Sequence, residues 1–323
     1  MNTEIEDLHR VVDAAHSGGR TVVLGGHSLG GSITTAYATW DFDGTAGGRD
    51  LAGLVYIDGG SNPVPVTRKE AVQSRNELRT STPWLAFGGI PAPYLGIYSA
   101  AGSCAAVYQP DEPSIAYGSP ILPANLKPSL PAGVAPSNVG EFGFASSIPS
   151  SPPNLAAAQV HAGHLADAGN PRGWVRDGAI TPVQRYAAML CGEGLQEIDG
   201  SAWYHPMRLT IDAGAVADGN VNPAQGVLNV RAIHGHDLNR RTRIYAFGAA
   251  LGGQRILDDA RTLAEQSEIP PGNLTLVNKE TTYAHNDPSA ASPTNAFIHS
   301  LIPFLSKIGG CHAHHGHGHG HGW

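Results

Sequence analysis

Gly25-Gly26-His27-Ser28-Leu29-Gly30-Gly31 follows the apolar run Thr21-Val22-Val23-Leu24 and precedes the small-residue stretch Ser32-Ile33-Thr34-Thr35-Ala36-Tyr37-Ala38. A serine with a glycine two residues to either side, between a strand and a helix, fits the tight turn of a nucleophile elbow. Neighbouring Cβ atoms would clash there, so Gly26 and Gly30 are expected to be small. Ser28 is then the candidate nucleophile. The following helix would aim its N-terminal N–H groups at the turn, and the Leu29 N–H is placed to bind a developing oxyanion. The competing reading is a glycine-rich strand-to-helix loop with an incidental serine.

The chain has 323 residues, enough for one large α/β domain or two smaller ones. Charged residues make up only 15%, and 41 glycines and 24 prolines imply long ordered loops. A formal net charge of −7 with no Lys/Arg cluster argues against a nucleic-acid or anionic-membrane surface. No apolar run is long enough to span a membrane, and the N-terminus lacks the basic and apolar regions of a signal peptide. The compartment is left open, export with a truncated N-terminus being one alternative. Cys104 and Cys191 are read equally as a disulfide or as two buried thiols.

Outward from the turn, apolar residues recurring at three and four predict a helix over 4–17, a strand over 21–25 and a helix to about Trp40. The apolar run 51–57, ended by Asp58-Gly59-Gly60, predicts a buried parallel strand and completes a βαβ unit. Residues 61–205 change character, with helices predicted over 68–79, 154–168 and 183–191 and a proline- and glycine-dense stretch over 91–151. This reads as an insertion forming a cap over the active-site end of the sheet, its aromatic content weighing against a disordered linker. The core pattern resumes with a strand at 243–248, an amphipathic helix over 254–267, a strand at 273–277 and a closing helix over 294–308. The organisation is thus core over 1–60, cap over 61–205, core over 206–308 and a His-rich tail over 309–323. Glycine alternation gives the tail's imidazoles no fixed geometry, so no catalytic metal is assigned to it.

Ser28 requires a base, and His285 is favoured because it follows the last core strand at the carboxyl end, where catalysts of open parallel sheets gather. A loop histidine capping a turn is the alternative. His27 is expected to point elsewhere, serving packing or oxyanion support.

With Gly26-His27-Ser28-Leu29-Gly30 and Tyr283-Ala284-His285-Asn286-Asp287-Pro288, the chain resembles the α/β-hydrolases over 21–60 and 243–308. The resemblance implies a mostly parallel sheet with flanking helices and the chain order nucleophile, acid, histidine. It also implies an acid three residues beyond a glycine like Gly248, and Leu251 stands there instead. Asp58 is the first choice for the acid, since it ends the strand beside the nucleophile strand, a position pancreatic-type lipases use. Asp258 and Asp259 keep the chain order but lie within the helical pattern, and Asp287 is too close to His285, reading as turn chemistry.

Family members carry several strands and a Gly-rich oxyanion loop before the elbow, whereas about twenty residues precede it here. The Val22-Val23-Leu24 strand would then be an exposed apolar edge, open to self-association, unless another segment fills it. The chain therefore reads as the C-terminal part of a hydrolase core. The expected activity is cleavage of a small apolar carboxylic ester through an acyl-enzyme at Ser28, without a cofactor, with His285 as base and Asp58 orienting it. A catalytically impaired fragment or binding module of the same fold is the alternative.

Overall fold

A computed structural model describes residues 2–60, 67–80, 103–118, 135–147, 173–176, 179–182, 187–188, 191, 223–283, 285, 287–291 and 294–309. Its centre is a four-stranded parallel sheet whose strands lie side by side in chain order: β1 (Val23–His27), β2 (Gly53–Ile57), β3 (Arg243–Gly248) and β4 (Leu274–Asn278). β2 and, from Ile244 on, β3 are continuous apolar runs because both of their faces are covered. Leu54, Tyr56, Ile244 and Ala246 pack on one face with α1 (Asn2–His16), α2 (Leu29–Ala38) and α4 (Gly253–Gln266). Val55, Tyr245 and Phe247 pack on the other with Phe297 and Phe304 of α5 (Ala296–Ile308). The alternation follows the two-residue period of a strand.

The predicted α/β layering therefore stands, with element bounds shifted by up to two residues. The largest shift moves β1 from 21–25 to 23–27, so that the strand runs into the turn itself. In the middle region, α3 (Arg68–Thr80) matches its predicted span, and a helix at Asn138–Ser147 lies within the proline- and glycine-dense stretch. Gly173–Arg176 and Ala179–Pro182 pair as two short antiparallel strands. The predicted helix 154–168, most of 183–191, the aromatic residues Trp84, Phe87 and Trp203, and the His-rich tail lie outside the described residues. Cys104 and Cys191 form a disulfide, which decides between the two readings of these cysteines.

The chain entering β3 is tied back to the end of α2. Asp41 N–H donates to the Arg231 carbonyl, and the Asp41 carboxylate pairs with Arg231 at 3.0 Å and with His234 Nε2 at 3.0 Å. His234 Nδ1 meets Asp237 at 2.9 Å. With a carboxylate at each ring nitrogen, His234 donates from both only as the imidazolium. Burial opposes that charge, but the hydrogen bonds to Asp41 and Asp237 outweigh it and raise the pKa above the usual histidine value.

β1 pairs with β2 alone among the described residues. Val22 O and Ser28 N bond toward β2, so by alternation the N–H groups of Val23, Gly25 and His27 face the other edge. Val22 and Leu24 pack on one side into the core that holds Ile5 and Val12 of α1, and Gly25 is exposed.

Two outcomes follow from this arrangement. In hydrogen exchange, the amides of Val23, Gly25 and His27 should exchange much faster than those of Leu54, Val55 and Tyr56; equal protection would show that a further segment pairs the β1 edge. Because the His234 pKa is raised in the fold, its contribution is fully present below about pH 6.5 and is lost as pH rises through the folded value. Thermal melts at pH 6 and 9 should show a loss in the wild-type protein that is smaller in His234→Gln.

Candidate active site

The turn between β1 and α2 is built by close backbone packing. Ser28 has φ 57 and ψ −123, outside the regions open to most L-residues. Such strain costs about 1–3 kcal/mol and persists only where the surroundings enforce it. Enforcement comes from contacts that leave no room for side chains. A Cβ on Gly26 would lie 2.0 Å from the Gly30 backbone, and one on Gly59 would lie 1.8 Å from the Ser28 carbonyl oxygen. A Cβ on Gly31 would meet the Gly59 carbonyl at 2.2 Å. Gly30 differs from expectation: a Cβ there meets nothing within 4 Å. The steric demand falls on Gly26, Gly31 and Gly59, because it is the backbone of residue 30, not its side-chain position, that presses on Gly26.

The Ser28 N–H donates to the Ile57 carbonyl at 3.0 Å, anchoring the turn to the end of β2. The Ser28 side chain makes no capping hydrogen bond to α2, so the hydroxyl is not consumed by the helix. Leu29 opens α2, where its N–H has no carbonyl of the helix to bond. Serine hydroxyl and Leu29 N–H thus sit together at the positive end of the helix dipole.

Asp58 follows β2 directly, 2% exposed, with a positive φ of 46. Its Oδ1 accepts the backbone N–H groups of Ala249 (2.7 Å), Gly252 (2.9 Å) and Gly253 (3.3 Å), and its Oδ2 accepts that of Leu251 (3.3 Å). His285 Nδ1 completes the shell at 2.7 Å from Oδ2. The four backbone partners are donors, and an ionised carboxylate accepts them together with an N–H from His285. Burial favours the neutral acid, yet the His285 bond and charge and the Ala249 and Gly252 N–H groups outweigh it and hold the carboxyl below its usual range. Leu251, standing where the resemblance places an acid, therefore contributes its N–H to the carboxylate of the neighbouring strand.

His285 is buried, and its Nδ1–H is committed to Asp58. That fixes the tautomer and leaves Nε2 as a proton acceptor. Among the hydrogen bonds of the described residues none joins the Ser28 hydroxyl to His285; such bonds often tighten only with substrate in place. His27 does not point away from this group as anticipated. Its Nε2 lies 2.8 Å from the His285 carbonyl oxygen, and the two rings are 4.4 Å apart. Burial, followed by repulsion from His285, lowers the His27 pKa to about 4.

The other sequence candidates lie elsewhere. Asp258 is exposed on α4 with Arg261 and Gln254, and Asp259 pairs with Arg255. Asp287 starts a short helix, Asp287–Ala290, and is buried. No cluster of three or more His, Cys, Asp or Glu among the described residues is arranged to hold a metal, and no helix among them is long and apolar enough to cross a membrane. What sequence reasoning missed is the N–H cradle at 249–253, for which the glycines at 252 and 253 were the available signal.

No family model matches the chain, and no curated protein or solved structure is found similar to it.

Asp58→Asn replaces one acceptor oxygen with a donor facing donors. The urea midpoint should fall by the equivalent of about 2 kcal/mol at unchanged slope, whereas Asp258→Asn on the exposed helix face should change it by less than about 0.5 kcal/mol. Equal effects would mean that the cradle does not hold a carboxylate.

Proposed function

We propose that the protein is a serine hydrolase of the α/β-hydrolase kind, cleaving a carboxylic ester through an acyl-enzyme on Ser28. The observation that carries this reading is the buried Asp58–His285 hydrogen bond beside a strained serine turn. In the proposed reaction, the Ser28 hydroxyl attacks the ester carbonyl as His285 Nε2 takes its proton. The Leu29 N–H donates to the oxyanion, and the imidazolium that forms is balanced by Asp58. The alkoxide leaving group departs with the proton from His285. Water then attacks the acyl-serine by the same route, returning the enzyme.

The acid in this reading follows the strand next to the nucleophile strand, as in pancreatic-type lipases. Residues 61–205 would form the cap, and the substrate would be a small ester with an apolar acyl or alcohol group. The Cys104–Cys191 disulfide accords with action in an oxidising compartment. The edge of β1 that no described residue pairs would be the surface for self-association.

Hydrolysis of a short nitrophenyl ester tests the proposal. Ser28→Ala and His285→Ala should abolish turnover without unfolding the protein, and Asp58→Asn should lower kcat by about three to four orders of magnitude. Wild-type turnover retained by folded Ser28→Ala would remove the serine from the chemistry and leave a binding module as the reading.

A further inference from the structure

We infer that His27 is a positioning residue for His285, holding the main chain of the His285 loop through a hydrogen bond from its Nε2–H to the His285 carbonyl oxygen. The catalytic consequence rests on the serine-hydrolase reading; the structural one does not. Asp58 grips the His285 ring at Nδ1, 2.7 Å away, and this alone leaves the backbone free to carry the ring toward or away from Ser28. His27 supplies the second point of attachment, 2.8 Å from the carbonyl of the same residue.

Its placement makes the attachment informative about the serine. His27 is the last residue of β1, immediately before Ser28, and lies opposite Ile57 of β2, whose carbonyl accepts the Ser28 N–H. The distance from nucleophile to base is thereby set by one rigid strand end and one side chain. A carbonyl can only accept, so His27 must carry its proton on Nε2.

Neutrality matters as well. The rings of His27 and His285 lie 4.4 Å apart, with Asp58 the nearby acid. A charged His27 would oppose the imidazolium that His285 becomes on taking the serine proton. Burial keeps His27 neutral down to about pH 4, so the anchor adds no such penalty in the neutral range.

The tests separate anchor from filler. In the wild-type protein, long-range 15N NMR at pH 6 should show His27 as the neutral Nε2–H tautomer; the Nδ1–H tautomer, which has no proton to donate from Nε2, would overturn the inference without any mutation. His27→Gln keeps an N–H donor of comparable reach, and His27→Phe keeps ring volume without the donor. The low-field His285 Nδ1–H proton, assigned by its loss in His285→Ala, should persist in His27→Gln and broaden by exchange in His27→Phe.

With the nitrophenyl ester, kcat should fall about tenfold to a hundredfold in His27→Phe and less than about fivefold in His27→Gln, with KM little changed in both. Equal impairment of the two variants, or a His27→Phe protein with wild-type kcat and an unbroadened proton, would show that His27 only fills space. Should the wild-type protein hydrolyse no ester, the proposed function fails, and the tautomer and the low-field proton still decide whether His27 anchors the loop.

Discussion

The hydrogen bond between Asp58 and His285 is the constraint around which the described residues are arranged. It joins the end of β2 to the loop after β4, two segments that are not neighbours in the sheet, across the end of β3. For it to form, a carboxylate must be kept charged in a buried place, a cost of several kcal/mol unless donors surround it. The backbone at 249–253 meets that cost by turning its N–H groups inward. The loop is therefore shaped by the acid of the neighbouring strand, and glycine at 252 leaves room that a Cβ would take, 2.4 Å from Ile256 Cγ1 and 2.9 Å from Asp58 Oδ1.

The serine turn obeys the same logic of close approach. Gly59, next to Asp58, packs against the carbonyl of Ser28, so the segment that carries the acid also presses the serine into its strained conformation. The strained serine and the acid thus meet at one segment, the end of β2 with Asp58 and Gly59. A parallel sheet suits this arrangement because adjacent strands end on the same side, bringing the residues after β1, β2 and β4 to one rim.

Much of this was legible in the sequence because its causes are local. Apolar runs such as 244–247 betray strands covered on both faces, and the glycines around Ser28 mark a turn that excludes Cβ atoms. Asp58 was legible as a strand-end carboxylate. The pairing of Asp58 with His285 depends on strand order, which a pattern suggests without fixing. The cradle at 249–253 was hidden because backbone N–H donors leave almost no trace in residue type. Leu251 accordingly read as a missing acid, when its side chain is exposed and its N–H carries the contact. His27 was misplaced for a related reason: the direction of a side chain at a strained turn follows from tertiary packing, not from its neighbours in sequence.

An activated serine is the central claim, and covalent labelling with a fluorophosphonate, followed by peptide mapping in a mass spectrometer, tests it most directly because no substrate need be known. The account predicts one adduct, on the peptide bearing Ser28, formed at a rate that falls steeply in Asp58→Asn and His285→Ala. A folded wild-type protein that takes no label, or takes it on a different serine, would contradict the account.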